Sequence, residues 1–194
     1  SVDNKFTGPR PVSVNSKTYS VGQPTVSPDG KVLIFASDKP GGYGGTDLYF
    51  CTKKGNDWSN AKNLGPAINT KGDELYPSMS PEGVLFFSCN YHPGFGGFDI
   101  FKSSRVDQYW TNPENLGMPV NSSQDDYALI MRNGVGYFTS NRAGGQGSDD
   151  IYQVTQMATL SKIYVYDTDI KPIYKARVTF IESPNMQVIC ETDA

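Results

Sequence analysis

A chain of 194 residues can hold one or two domains with a sizeable core, and this one has a β-rich globular composition: 20 Gly and 13 Pro supply turns, 12 Tyr and 10 Phe supply half-buried pleated surface. A charged fraction of 19% and a net charge of -3, with no block of basic residues, remove the electrostatic footprint that nucleic-acid binding needs, and the 37% hydrophobic content argues against disorder. No apolar run reaches the ~20 residues that span a bilayer as a helix, and no basic-then-apolar leader opens the sequence, so a soluble protein is expected, with any targeting signal outside it.

Residues 1–20 are polar and irregular. Within them Gly8-Pro9-Arg10-Pro11-Val12, followed by Val14-Asn15-Ser16, is matched by Leu64-Gly65-Pro66-Ala67-Ile68-Asn69-Thr70 and Leu116-Gly117-Met118-Pro119-Val120-Asn121-Ser122. In those later copies the segment is the tail of a repeat, so the chain is expected to open inside one. The first full unit, about Val21 to Glu74, reads as four strands. Pro24–Ser27 is the innermost, and Pro28-Asp29-Gly30 is a turn with φ preset by Pro and positive at Gly. Lys31–Ser37 carries the continuous apolar run of a middle strand covered on both faces. Asp47–Cys51 is the third strand, and the outer one lies around Trp58 to Leu64.

The second unit, Leu75 to Asp126, repeats this with Pro77–Ser80, Val84–Ser88 and Phe98–Lys102 as its first three strands. The third starts at Tyr127, where Arg132-Asn133-Gly134 replaces Ser-Pro-Asp-Gly and Asn-Gly is itself a tight-turn signal. It ends at Ile151–Val154 without the Trp and Asn-Leu-Gly linker of its predecessors, as a closing unit would. From Lys162 the pattern changes to alternating strands at Ile163–Asp167, Lys171–Ile173 and Ala176–Ile181, with no Gly-Gly loop.

The register of the copies is fixed by Phe35, Phe87 and Phe138, and by Asp47, Asp99 and Asp150, each set 52 and 51 residues apart. Four short strands in each such period are the blade of a β-propeller. The fold expected is all-β: a partial propeller of about three four-stranded blades over 1–156, then a linker and the first strands of a second β-domain over 157–194.

Written across copies, the repeat is Pro-x-x-Ser-Pro-(Asp/Glu)-Gly, an apolar strand, a Gly-Gly loop, Asp-(Ile/Leu)-(Tyr/Phe), Trp and Asn-Leu-Gly. It resembles the WD40-like, TolB-type (PD40) propeller repeat. The version with this loop and linker is similar to the propeller of outer-membrane-associated OmpA-family proteins of Bacteroidota, which include PorE-like components of type IX secretion. The resemblance implies a periplasmic module associated with the outer membrane. It also implies that 163–194 open a carboxypeptidase-regulatory-like β-sandwich, with Thr192-Asp193-Ala194 in its Thr-Asp segment. Helical repeats and a peptidoglycan-binding domain belong to that family outside this sequence, so peptidoglycan is reached only through domains absent here.

Gly144-Gly145-Gln146-Gly147-Ser148-Asp149 fits the Gly-Gly-x-Gly-x-Asp calcium motif of β-rolls, but those sites need copies about nine residues apart. Here the copies lie a whole blade apart, so a structural loop is expected. Asp47, Asp99 and Asp150 then bond backbone N–H groups of the loop or of an adjacent blade, and neither they nor Asp149 form a metal site. His92, the only histidine, stands in the loop Asn90-Tyr91-His92-Pro93 and is expected to be exposed, with no second histidine for a relay or metal. Tyr49, Phe101, Tyr152, Trp58 and Trp110 read as packing between blades. Tyr43, Phe95 and His92 lie at loop tips; folding back onto their own blades is expected, with partner binding as the alternative.

Cys51, Cys89 and Cys190 form no Cys-x-x-Cys pair, so buried free thiols are expected, without excluding a single bridge. There is no Gly-x-Ser-x-Gly elbow, and no catalytic residue or cofactor site is assigned. The expected function is a non-enzymatic scaffold or protein-binding module for envelope or secretion-system proteins. The rivals are a propeller gating a peptidase whose catalytic domain lies elsewhere, and a glycan-binding propeller. Closed propellers need 4–8 blades. About three would leave two faces uncovered, to be covered by earlier blades of a longer parent or by a second copy, giving a homodimer.

Overall fold

Each copy folds as an antiparallel sheet that winds from an inner strand outward. The computed structural model describes residues 8–107, 109–156, 177–182 and 186–191 and contains no helix among them. The first blade comprises β1 (Val21–Val26), β2 (Val32–Ser37) and β3 (Asp47–Lys54). Two short pieces, β4 (Asp57–Trp58) and β5 (Lys62–Asn63), both pair with β3. The second is β6 (Glu74–Met79), β7 (Leu85–Cys89), β8 (Asp99–Ser103) and β11 (Glu114–Asn115), with a small ribbon of β9 (Arg105–Val106) and β10 (Tyr109–Trp110) at its edge. The third has three strands, β12 (Asp126–Arg132), β13 (Val135–Ser140) and β14 (Asp150–Thr155), and β14 has no outer partner among the described residues.

The chain divides into two compact units, 1–156 and 157–194. In the second, β15 (Arg177–Glu182) and β16 (Met186–Glu191) form an antiparallel hairpin that pairs Arg177 with Glu191. The strands expected at 163–167 and 171–173, the side chain of Cys190 and residues 192–194 lie outside the described residues.

The turn chemistry works as its residues demand. Gly30 and Gly83 take φ of 69° and 84° after β1 and β6, and Asn133 and Gly134 take 51° and 75° between β12 and β13, the double positive φ of a type I′ hairpin. Each inner strand also carries a bulge: register slips between Gly22 and Thr25, Leu75 and Ser78, and Tyr127 and Ile130. The bulged positions Gln23, Tyr76 and Ala128 all have positive φ, a conformation unusual for residues with a Cβ, and its recurrence makes it a built feature of the repeat.

Every sheet has two faces, one bearing Phe35, Phe87 or Phe138 and the other bearing Ile34, Phe86 or Tyr137. Ile34, Ala36 and Leu48 of the first blade pack against Leu85, Phe87, Cys89 and Phe101 of the second, with Leu64 and Ile68 of the linker wedged among them. Phe86 and Ile100 of the second pack likewise on Leu129, Met131 and Phe138 of the third, with Leu116 and Val120 in the wedge position. Middle strands β2 and β7 are therefore buried on both faces, whereas β13 alternates. Trp110 packs on the first of these clusters. Trp58 packs on its own blade, beside Leu33, Phe35, Tyr49 and Cys51.

Among the described residues the two end faces differ in how much apolar surface they leave exposed. Ile130, Tyr137 and Ile151 stand exposed on the third blade, whereas Leu33, Phe35, Tyr49 and Cys51 on the first are buried. Val14, Val21, Trp58 and Ala61 lie against that first face, so the incoming segment and the blade's own edge do much of what a preceding blade would do.

Candidate functional site

The loops after β2, β7 and β13 gather at one end of the sheets, where each meets the linker to the following blade. In the first loop the Asp47 carboxylate accepts the N–H groups of Tyr43 (2.6 Å) and Gly44 (3.1 Å) and the side-chain amide of Asn63 (2.7 Å). Asp99 accepts from Phe95 and Gly96, and Asp150 from Gln146 and Gly147. A Cβ on Gly42, Gly94 or Gly145 would come within 2.2, 1.9 or 1.9 Å of the corresponding carboxylate, so glycine there makes room for the acid that holds the loop. The three aspartates thus have local structural work, bonding their own loops. Among the described residues no group of three or more His, Cys, Asp or Glu side chains is placed to hold a metal ion. Asp99 differs from its counterparts: its Oδ1 is buried without a partner among the described residues, and burial pushes the carboxyl above its ordinary value.

A second set of acids ties the blades together. Asp73 accepts from the N–H of Thr46 at 2.8 Å, and Asp125 from that of Phe98 at 2.8 Å, each across a blade junction. Asn69 and Asn121 act as substitute strand partners. The Asn69 side chain accepts from Leu48 N–H (2.8 Å) and donates to Leu48 C=O (2.9 Å), and Asn121 does the same to Ile100. Asn63 and Asn115 in turn orient these amides through their Oδ1 atoms. The Asn-Leu-Gly and Asn-(Thr/Ser) motifs are visible in the sequence, but their joint role is a matter of distance across the sheet.

His92 is not the exposed loop residue expected. It is half-buried over Phe87 and Phe101, with ring centroids 6.3 and 5.2 Å away, and Nε2 lies 3.0 Å from the Ile68 carbonyl. A carbonyl only accepts, so Nε2 carries the hydrogen. Arg142 occupies the same place on the third blade, stacked on Phe138 and Tyr152 and donating to the carbonyls of Pro119 and Val120. Lys39 lies over Tyr49 on the first. The equivalence is obscured in sequence because the three loops are equally long and place Tyr91, not His92, opposite Lys39 and Arg142, so His92 reaches the shared place from one position further along.

Beneath His92 and Arg142, though not beneath Lys39, where the position is Val21, sits a buried acid. Asp126 pairs with Arg142 at 2.6 Å, while the fully buried Glu74 takes neutral donors, Thr70 Oγ1 (2.5 Å) and Cys89 Sγ (3.0 Å). Burial raises the Glu74 carboxyl above its usual range and pushes the Cys89 thiol up to about 12 and the Cys51 thiol to about 11. Both cysteines are free and buried, as their apolar setting predicts.

Tyr43 and Phe95 also depart from expectation, because neither folds back. Each is about half exposed, at 49% and 52%, and Tyr91 and Met118 are also exposed, at 57% and 76%. The loop amides that would let the chain fold back are held by Asp47 and Asp99, which fixes the tips outward. Between Tyr43 and Tyr91 lies an open cleft of about 520 Å³ lined also by Pro66, Thr70, Lys71, His92 and Pro93. A smaller cleft of about 230 Å³ follows the bulged inner strands past Gln23, Tyr76 and Ala128.

No family model matches the chain, and no curated protein matches it. Among solved structures it is similar to TolB from Acinetobacter baumannii (14% identity, TM-score 0.49) and to a Mycobacterium tuberculosis puromycin-hydrolyzing peptidase (12%, 0.43). A puromycin hydrolase mutant complexed with PGG is also similar (10%, 0.40). These likenesses cover 90%, 75% and 88% of this chain but 41%, 29% and 33% of those chains, so it spans less than half the length of each. The assignment to blades rests on the sheets themselves.

Proposed function

We propose that this protein is a non-enzymatic binding module that presents the loop end of its blades to another protein. The observation that carries this reading is the division of labour at that end. Asp47, Asp99, Asp150, Asp126 and Arg142 are engaged in holding the scaffold, while Tyr43 and Tyr91 flank an open cleft and Phe95 and Met118 stand exposed on the second loop and its linker. Exposed aromatics on a rigid frame are the composition of protein-binding hot spots. The repeat's resemblance to OmpA-family propellers supports the finer proposal: a periplasmic, outer-membrane-associated scaffold serving type IX secretion or envelope attachment.

The test is a binding comparison between wild type and a Tyr43→Ala/Tyr91→Ala/Phe95→Ala variant, using purified candidate envelope proteins and peptidoglycan sacculi. The variant should keep its circular dichroism and melting temperature and lose binding to the protein partner. Retention on sacculi with no protein partner would favour the glycan-binding reading, and unchanged protein binding by the variant would move the site away from the loop end.

A further inference from the structure

We infer that the open face of the third blade is one half of a blade junction whose other half is the front of the first blade, so that a second copy of this chain completes it head to tail. The inference rests on the two junctions inside the chain and stands apart from the loop-end reading above.

Consider first what the third blade lacks. In the register of the sheets, Ala36 pairs with Leu48, Ser88 with Ile100 and Thr139 with Ile151. Leu48 and Ile100 are wholly buried and bonded through both backbone groups to Asn69 and Asn121. Ile151 is 79% exposed, with Tyr137 exposed in place of the buried Phe86. The missing pieces are an asparagine, an apolar wedge one residue before it, and the face of a following blade.

The front of the first blade supplies those pieces in the right order. Val14-Asn15-Ser16 stands where Ile68-Asn69-Thr70 and Val120-Asn121-Ser122 stand before the other blades, and Val14 already packs on the Phe35 face. The segment is also pre-folded. Thr18 N–H donates to Ser16 Oγ at 3.1 Å, as Gly72 does to Thr70 at 3.0 Å and Gln124 to Ser122 at 3.2 Å. Ser20 N–H donates to Asp38, as Asp73 does to Asn90 and Asp125 to Asn141. Asn15, unlike its buried counterparts, is exposed, and so is Val26 at a position where Met131 is covered.

One exchange distinguishes the front of the first blade from the fronts of the second and third. At the internal junctions a Cβ on Gly45 or Gly97 would lie 2.5 or 2.2 Å from the carboxylate of Asp73 or Asp125. The third loop has Ser148 at that position, which would collide with such an aspartate. The first blade has Ser20 where the others have Asp73 and Asp125, so the larger residue on one side is met by a shorter one on the other. Gly147 remains glycine although its nearest neighbour is 3.7 Å away, whereas Gly44 and Gly96 abut the linker carbonyls of Gly72 and Gln124. Two copies joined in this way around a two-fold axis bring six blades together, within the range of closed propellers.

Sedimentation velocity and light scattering of the whole chain from about 1 to about 100 µM should reveal a particle of twice the 21.3 kDa chain mass. Ile151→Asp and Asn15→Ala should each weaken it by on the order of tenfold to a hundredfold, because each leaves backbone or charged groups unpaired in the junction. Both residues are exposed in the single chain, so both variants should fold, as circular dichroism would check. A mixture of the two variants retains one intact junction per pair and should associate more tightly than Ile151→Asp alone. A monomer throughout the range would overturn the inference, and so would a dimer broken by Ile151→Asp but indifferent to Asn15→Ala, which is the signature of two third blades meeting face to face.

Discussion

Truncating Phe87 to Ala tests the blade junction at its centre. Phe87 is 1% exposed, stacks on Phe101 at 5.9 Å between ring centroids and meets the edge of His92, within the cluster that includes Ile34, Leu48 and Ile68 of the preceding blade. Removing a ring from such a site costs the transfer free energy of the lost atoms and the cavity they leave, about 3–5 kcal/mol. For a chain of this size each kcal/mol lowers the melting temperature by roughly 2–4 °C, so a fall of about 6–20 °C is expected. The control is Tyr137→Ala at the equivalent of Phe86 on the open face, where the ring is half exposed and the cost should stay below about 1 kcal/mol in the dissociated chain. Urea unfolding of both variants at low concentration, followed by tryptophan fluorescence, provides the free energies. A cost below about 1 kcal/mol for Phe87→Ala, or equal costs for the two, would refute the assignment of the buried junction.

Three further outcomes follow from the loop end. Because Asp47 and Asp150 are occupied by backbone donors, millimolar calcium against chelator should leave the melting temperature nearly unchanged; a large upward shift would return Asp47, Asp99, Asp149 and Asp150 to candidacy as ligands. Cys51 and Cys89, buried and with raised thiol pKa, should resist alkylation at pH 8 until the chain unfolds, as peptide mass spectrometry would show. Burial raises the folded-state pKa of Glu74 above its unfolded value of 4.5, so the folded state holds the extra proton and this group's contribution to stability falls as pH rises through that window. Glu74→Gln should flatten the dependence of melting temperature on pH just above 4.5, and an unchanged slope would exclude Glu74 as its source.

The architecture was legible in the sequence because a repeat writes its own register. Phe35, Phe87 and Phe138 set the middle strands, Gly30, Gly83 and Asn133-Gly134 set the turns, and the missing linker after Val154 marked the blade without an outer strand. What escaped depends on contacts the chain makes with itself at long range. The left-handed bulges at Gln23, Tyr76 and Ala128 fall on three unlike side chains, two of them followed by Pro, so no residue type announces them. The equivalence of Lys39, His92 and Arg142 is hidden because His92 stands one position beyond the residue that aligns with the other two, Tyr91, and because the three side chains differ in chemistry. The outward tips of Tyr43 and Phe95 follow from the aspartates that hold their amides, and an aromatic in a glycine loop carries no sign of which way it points. The cover over Phe35 escaped because Val14 and Trp58 supply it from positions that look like linker.

Arg142 and His92 share a place in the fold but not a task, and this difference is measurable. Arg142 contributes a charge to Asp126, which is wholly buried, and its guanidinium also satisfies the carbonyls of Pro119 and Val120. Taking away one member of a buried ion pair leaves the other charge uncompensated, a loss of about 3–5 kcal/mol. His92 has no such partner: Glu74 below it is served by Thr70 and Cys89, so His92→Ala forfeits one hydrogen bond to the Ile68 carbonyl and its ring packing, about 1–2 kcal/mol. Arg142→Ala should therefore destabilise the blade well beyond His92→Ala. Adding Asp126→Asn should recover part of the deficit, because the orphaned charge is then gone, and a double-mutant cycle should return a coupling above about 1 kcal/mol. Equal costs for the two alanine variants, or a cycle with no coupling between Arg142 and Asp126, would show that the pair is a surface contact and that the acid beneath the third loop is held by the Ser122 donors alone, whose N–H and Oγ both reach Asp126.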